Sequence, residues 1–184
     1  MTFDLISCII RGYTGGYSMK LVHATGGREK YFKSMSVGDC VTRAIANATG
    51  IDYKEIYDGL FYLTKNRRHS KRERVYAKES PRDGVFKRVA KKYIEEVVGW
   101  EWVATMSIGS GCRVHVKADE LPNNDSIILN LSKHFACVKN GELYDTFDCS
   151  RGGTRCVYGY WKAPQGWSVE TYNKNKSKVL IQKP

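Results

Sequence analysis

The chain has 184 residues, 42% of them apolar and 12% aromatic, which suits one globular domain with its own core and excludes a disordered segment. The formal net charge is +11, and Lys65 to Lys92 alone carries twelve Lys or Arg against three Asp or Glu. No apolar run reaches the length of a membrane span and no secretory signal opens the chain, so a cytoplasmic protein without a membrane partner is expected. Residues 1–37 hold short apolar pieces split by Gly12, Gly15-Gly16 and Gly26-Gly27, the pattern of strands and loops. Gly38-Asp39-Cys40 then runs into a helical stretch whose Val41, Ala44, Ile45 and Ala48 share one face. Asp39 has the side chain of an N-cap, and Gly50 sits where a helix ends in a left-handed residue. A second helix opens at the capping-box pattern Asp52-x-x-Glu55, with Tyr53, Ile56, Tyr57, Leu60 and Phe61 as its apolar face. Residues 65–80 form a basic loop, and a third helix spans about Asp83 to Val98 with Val89, Ala90, Tyr93 and Val97 inward, ended by Gly99. Strands follow at 100–106, 113–116, 126–131, 135–138, 142–147 and 156–161, and the lysine-rich end beyond Trp167 reads as a surface tail. Helices first and strands afterwards predict an α+β domain spanning 1–184, with its core at about 30–161.

Cys40 falls in the first turn of its helix. A thiol there meets the positive end of the helix dipole and unpaired backbone N–H groups, and both favour the nucleophilic thiolate. A buried structural cysteine is the competing reading. The six cysteines, at 8, 40, 112, 137, 149 and 156, are expected to be reduced, given the expected compartment. Cys112, His115, Cys149 and Cys156 offer zinc-ligand types, but no paired C-x-x-C knuckle occurs, so no metal and no cofactor is expected.

A thiol nucleophile needs a base. His23 and His69 lie in loops, and His115 alternates with Val114 and Val116 as a strand-surface residue would. His134 stands between two apolar strands, and Asn140-Gly141 supplies a type I′ hairpin turn behind it. With a two-residue turn, Val138 faces Leu143, Ala136 faces Asp145 and His134 faces Phe147, which puts Asp145 diagonal to His134 on the same face. A bulge near residue 140 would favour Asp148 instead. Either carboxylate could hold the imidazole in the orientation a nucleophile–base pair needs. Asn130 and Ser132 are expected to share the face of His134 and to line the same cleft.

The order Gly-Asp-Cys40-Val-Thr-Arg-Ala-Ile-Ala, then His134-Phe-Ala-Cys-Val-Lys-Asn-Gly-Glu-Leu-Tyr-Asp145-Thr-Phe-Asp148, resembles the papain-like cysteine peptidase superfamily. It is most similar to bacteriocin-processing peptidases and to short papain-fold proteins of bacteriophages and plasmids. The resemblance implies a helical half bearing Cys40 packed on an antiparallel sheet bearing His134. It also implies attack by Cys40 on a peptide or isopeptide carbonyl and a thioester resolved by water. An acyltransferase or transglutaminase-like enzyme, or a silent papain fold that binds nucleic acid or a host protein, is the alternative. The family's usual oxyanion-hole Gln upstream of the cysteine is missing; Ser34 sits near that place, and the Cys40 backbone N–H would supply the other contact. Arg67, Arg68, Lys71, Arg72 and Arg74 are the candidate binding residues. With only Tyr62 and Tyr76 near them for base stacking, they fit an acidic peptide or protein substrate better than sequence-specific nucleic-acid reading. A monomer is expected.

Overall fold

The computed structural model describes residues 19–33, 38–67 and 80–180. Helix α1 (Cys40–Thr49) forms where the apolar spacing places it, with Gly50 closing it at φ 73°. Asp39 occupies the N-cap position, but its side chain makes no capping bond; it is drawn instead into a buried ionic cluster. Helix α2 (Tyr53–Lys65) is capped as its sequence predicts, the Asp52 carboxylate accepting from the backbone N–H of Lys54 and Glu55. Its buried face runs through Tyr53, Ile56, Leu60 and Leu63, leaving Phe61 exposed. Helix α3 (Lys87–Lys92) starts later than the sequence suggested and widens into a π-helical turn over Tyr93–Val98, ended by Gly99 at φ 81°.

Six strands form one sheet: β1 (Leu21–His23), β2 (Glu101–Ala104), β3 (Ser126–Leu131), β4 (His134–Lys139), β5 (Glu142–Asp145) and β6 (Gly159–Lys162), in the order β1-β5-β4-β3-β6-β2. β1 runs parallel to β5 and every other pairing is antiparallel. The turn at Asn140-Gly141 has φ 51° and 75°, and it sets Val138 opposite Leu143 and Cys137 opposite Tyr144, the register worked out from the sequence. The expected strand at 113–116 is reduced to a single bridge, His115 to Cys156, and 156–161 forms a regular strand only from Gly159.

Alternation along the strands splits the core in two. Ile128, Phe135, Cys137 and Trp161 pack against α1, α2 and α3, while Ile127, Leu129, Ala136, Val138 and Leu143 meet Val116, Leu121, Cys149 and Val157 from the connecting loops. The chain beyond Trp167 is no surface tail. It forms helix α4 (Val169–Leu180), whose Tyr172 is buried with its hydroxyl 3.1 Å from that of Tyr93. The Trp167 indole donates to the Val98 carbonyl at 2.6 Å and meets Trp100 edge to face, so the aromatic side chains that open this segment anchor it. Cys112 and Cys156 form a disulfide, which corrects the expectation that all six cysteines are reduced; no spacing rule pairs residues 44 apart. No helix among the described residues is long and apolar enough to cross a membrane.

Candidate active site

The N-terminus of α1 meets the sheet where β3 turns into β4. That turn is the two residues Ser132-Lys133, with Lys133 at φ 54°, and it makes His134 the first residue of its strand. Cys40, the first residue of α1, and His134 line one cleft of about 430 Å³ together with Arg43, Asn130 and Phe135. Phe147, half exposed, tilts against the imidazole at 5.2 Å between ring centres. A tight turn, Ser80 to Gly84, makes the opposite wall. It lies so close to Gly38 that a Cβ there would stand 2.8 Å from the Asp83 carbonyl oxygen, so this approach to Cys40 requires glycine.

His134 donates through Nε2 to Asp145 Oδ2 at 2.6 Å, the diagonal relation the hairpin register implied. Asp145 Oδ1 accepts from Arg43 Nη1 at 2.9 Å and from the Thr146 backbone N–H at 2.7 Å. The guanidinium reaches back through Nε to Asp39 Oδ1 at 2.9 Å, and the other Asp39 oxygen takes Tyr53 Oη at 2.6 Å and Arg28 Nε at 3.1 Å. The result is a buried chain, Arg28–Asp39–Arg43–Asp145–His134, in which opposite charges alternate. Removing such charges from water is costly unless each is paired, and here each is.

The same chain sets the titration of its members. Burial works to lower the His134 pKa, but hydrogen bonds to Asp145, Cys149 and Cys40, together with the Asp145 charge, outweigh it and push it up to about 11. Burial works to raise the Asp145 carboxyl; the bond and charge of His134, the Thr146 N–H and the Arg43 charge outweigh it, leaving it below the usual carboxylate range. At neutral pH the ring is therefore an imidazolium, held by an ionised carboxylate in the cleft that Cys40 also lines. Burial pushes the Cys149 thiol up, against the pull of its hydrogen bond to the same ring.

Of the residues singled out from sequence, the structure brings together Cys40, His134 and Asp145. Asp148 stands apart from the imidazole and accepts from the Ser150 backbone N–H at 2.8 Å, an Asx-type turn that fixes the loop after β5. Asn130 lines the cleft but pairs with Phe135, so it lies on the face opposite to that of His134, contrary to expectation. Ser132 sits in the turn, where its carbonyl accepts from Arg155 Nη2 at 2.8 Å. His115 is half buried with Nδ1 2.9 Å from Glu120 Oε2. The Arg67 guanidinium lies over the Phe86 ring at 5.1 Å. Ser34, Arg68, Lys71, Arg72 and Arg74 fall outside the described residues.

Sequence reasoning missed Arg43 and Tyr53, and weighed Cys149 only as a zinc-ligand type, not as a neighbour of His134. A local signal existed for the first: an arginine four residues after Asp39, in a helix otherwise rich in alanine. Cys149 joins His134 and Asp145 in a buried cluster whose donor atoms lie within 4.8 Å of one another. Within it the Asp145 carboxylate is already paired with Arg43 at 2.9 Å and with the His134 ring at 2.6 Å. Comparison with family models, with curated proteins and with solved structures finds no match for this chain.

Proposed function

We propose that the protein is a thiol hydrolase of papain-like architecture that cleaves a peptide or isopeptide bond through Cys40, His134 and Asp145. The observation that carries this reading is the His134 ring, tied by Nε2 to Asp145 at 2.6 Å and lining one cleft with Cys40 at the head of α1. Cys40 stands at the N-terminus of α1 and shares its cleft with the His134 ring, the pairing of nucleophile and base that thiol catalysis needs. In the proposed reaction the sulfur attacks the carbonyl carbon and the carbonyl electrons move onto oxygen. The tetrahedral species then collapses as the imidazolium passes its proton to the leaving amine, giving a thioester. The neutral imidazole next takes a proton from the water that attacks the thioester, which restores the thiolate–imidazolium pair and releases the acid. Asp145 keeps the ring oriented and stabilises its charge throughout. The papain-like assignment rests on the same support: a cysteine at the head of a helix laid on the strand that bears the histidine, within an α+β domain.

Lys87 and Lys133 line the cleft against the single carboxylate of Asp83, which supports an acidic peptide as the occupant. The test is intact-mass spectrometry after mixing with p-nitrophenyl acetate. One acetyl group should appear on Cys40, be absent from Cys40→Ala, and be lost on standing. Adding glycinamide then separates hydrolysis from acyl transfer, since an acyltransferase would send most of the acetyl group to the amine. No acetylation of Cys40 in the wild type would overturn the reading.

A further inference from the structure

Attack by a cysteine sulfur needs a place for the negative charge that forms on the carbonyl oxygen, and the glutamine usual upstream of such a cysteine is absent from the sequence. A buried hydrogen-bond donor without a partner is rare in folded proteins, because its desolvation is not repaid within the fold. Among the described residues Asn130 is 2% exposed and its Nδ2 has no partner, while it lines the cleft that holds Cys40 and His134. The other unpartnered buried nitrogens at Arg28 Nη2, Trp100 Nε1 and Arg155 Nε belong to residues outside that cleft. The strand pairing explains the placement. Asn130 stands opposite Phe135, with Ile128 before it on the helix-facing side of β3, under the helix that starts at Cys40. Among the described residues no hydrogen bond competes for this amide nitrogen, and a half-turn of the amide exchanges Nδ2 and Oδ1 without moving the backbone.

We propose that Asn130 is a catalytic residue, the side-chain donor of the oxyanion hole, acting with the backbone N–H of Cys40. The inference rests on Cys40 being the nucleophile, and its test separates the two claims by using two reagents on one thiol. With p-nitrophenyl acetate, sulfur attacks the carbonyl carbon, an oxyanion forms, and p-nitrophenolate leaves as the C–O bond breaks. With iodoacetamide, sulfur displaces iodide at a saturated carbon and no oxyanion forms. In Asn130→Leu, of similar size and without polar atoms, acetylation of Cys40 should slow by about 10²–10³ while alkylation stays within about twofold of the wild type. Asn130→Ser, which keeps a donor, should recover part of the loss. The midpoint of thermal unfolding should hold or rise in Asn130→Leu, since an unpaired buried donor has been removed. Unchanged acetylation overturns the proposal, and so does a parallel loss in both reactions, which would make Asn130 a support for the thiol. A wild type that takes iodoacetamide readily but no acetyl group also overturns it. A wild-type Cys40 inert to both reagents overturns the underlying reading of Cys40.

Discussion

Replacing Arg43 by Met keeps the bulk of the side chain and removes the cation that joins two buried carboxylates. The guanidinium bonds Asp39 Oδ1 and Asp145 Oδ1, each at 2.9 Å, and the side chains of Arg43, Asp39 and Asp145 are 7%, 1% and 3% exposed. At that burial water cannot replace the lost partner, so no discount for solvent screening applies. A hydrogen bond to a charged group contributes about 1.5–3 kcal/mol, and three are lost, the third from Arg43 Nη1 to Thr146 Oγ1 at 2.8 Å. Removing one partner from a buried pair costs about 3–5 kcal/mol. Asp39 retains Arg28 and Tyr53, and Asp145 retains His134, so the lower part of that range applies, about 3–4 kcal/mol. That is a large share of the roughly 5–15 kcal/mol that stabilises an ordinary domain. Urea unfolding followed by tryptophan fluorescence gives the number directly. A loss under about 1 kcal/mol would refute the reasoning, because it would mean that Asp39 and Asp145 reach water or protons cheaply.

Stability should also fall as pH rises above neutrality. The folded state holds a proton on His134 up to about pH 11, whereas the unfolded ring loses it near 6.5. Between those values the native state binds more protons, so the unfolding free energy declines by up to about 1.4 kcal/mol per pH unit. Urea midpoints at pH 6.5 and 8.5 should show the decline in the wild type and not in His134→Gln; a flat wild-type profile would contradict it. Gly59→Ala should destabilise despite the better helix propensity of alanine, because the added Cβ would stand 2.5 Å from Tyr93 Cε2 where α2 crosses α3. The expected loss is about 1–3 kcal/mol, and a thermal midpoint at or above that of the wild type would count against the packing described. Reducing the Cys112–Cys156 bridge frees a loop of 44 residues, for which chain entropy predicts a loss of up to about 4 kcal/mol in urea unfolding with dithiothreitol. An unchanged midpoint would mean that the bridge adds nothing to the fold.

Local signals in the chain were legible where a single periodicity or turn decided the outcome. The helix from Cys40 to Gly50 follows from its apolar spacing, and the hairpin from His134 to Asp145 follows from Asn140-Gly141, whose turn type allows few registers. The π-helical turn before Gly99 left no such mark, and α4 was hidden because Val169–Leu180 is mostly polar and is held by Tyr172 and Trp167. Long-range chemistry was the least readable. Asp39 has the sequence signature of a cap, yet Arg28, Arg43 and Tyr53 converge on it, and Cys149, which by spacing offers only a zinc-ligand type, is brought beside His134 by the loop after β5. Asp148 illustrates the converse: its spacing suited a catalytic partner, yet its carboxylate is used to turn the chain.

If His134 activates the sulfur of Cys40, removing the imidazole must slow the reactions of that sulfur. Iodoacetamide labelling of Cys40 at pH 6, followed by peptide mass spectrometry, should be markedly faster in the wild type than in His134→Gln. Equal labelling rates in the two proteins would contradict the role of His134 and with it the reading of Cys40 as the nucleophile.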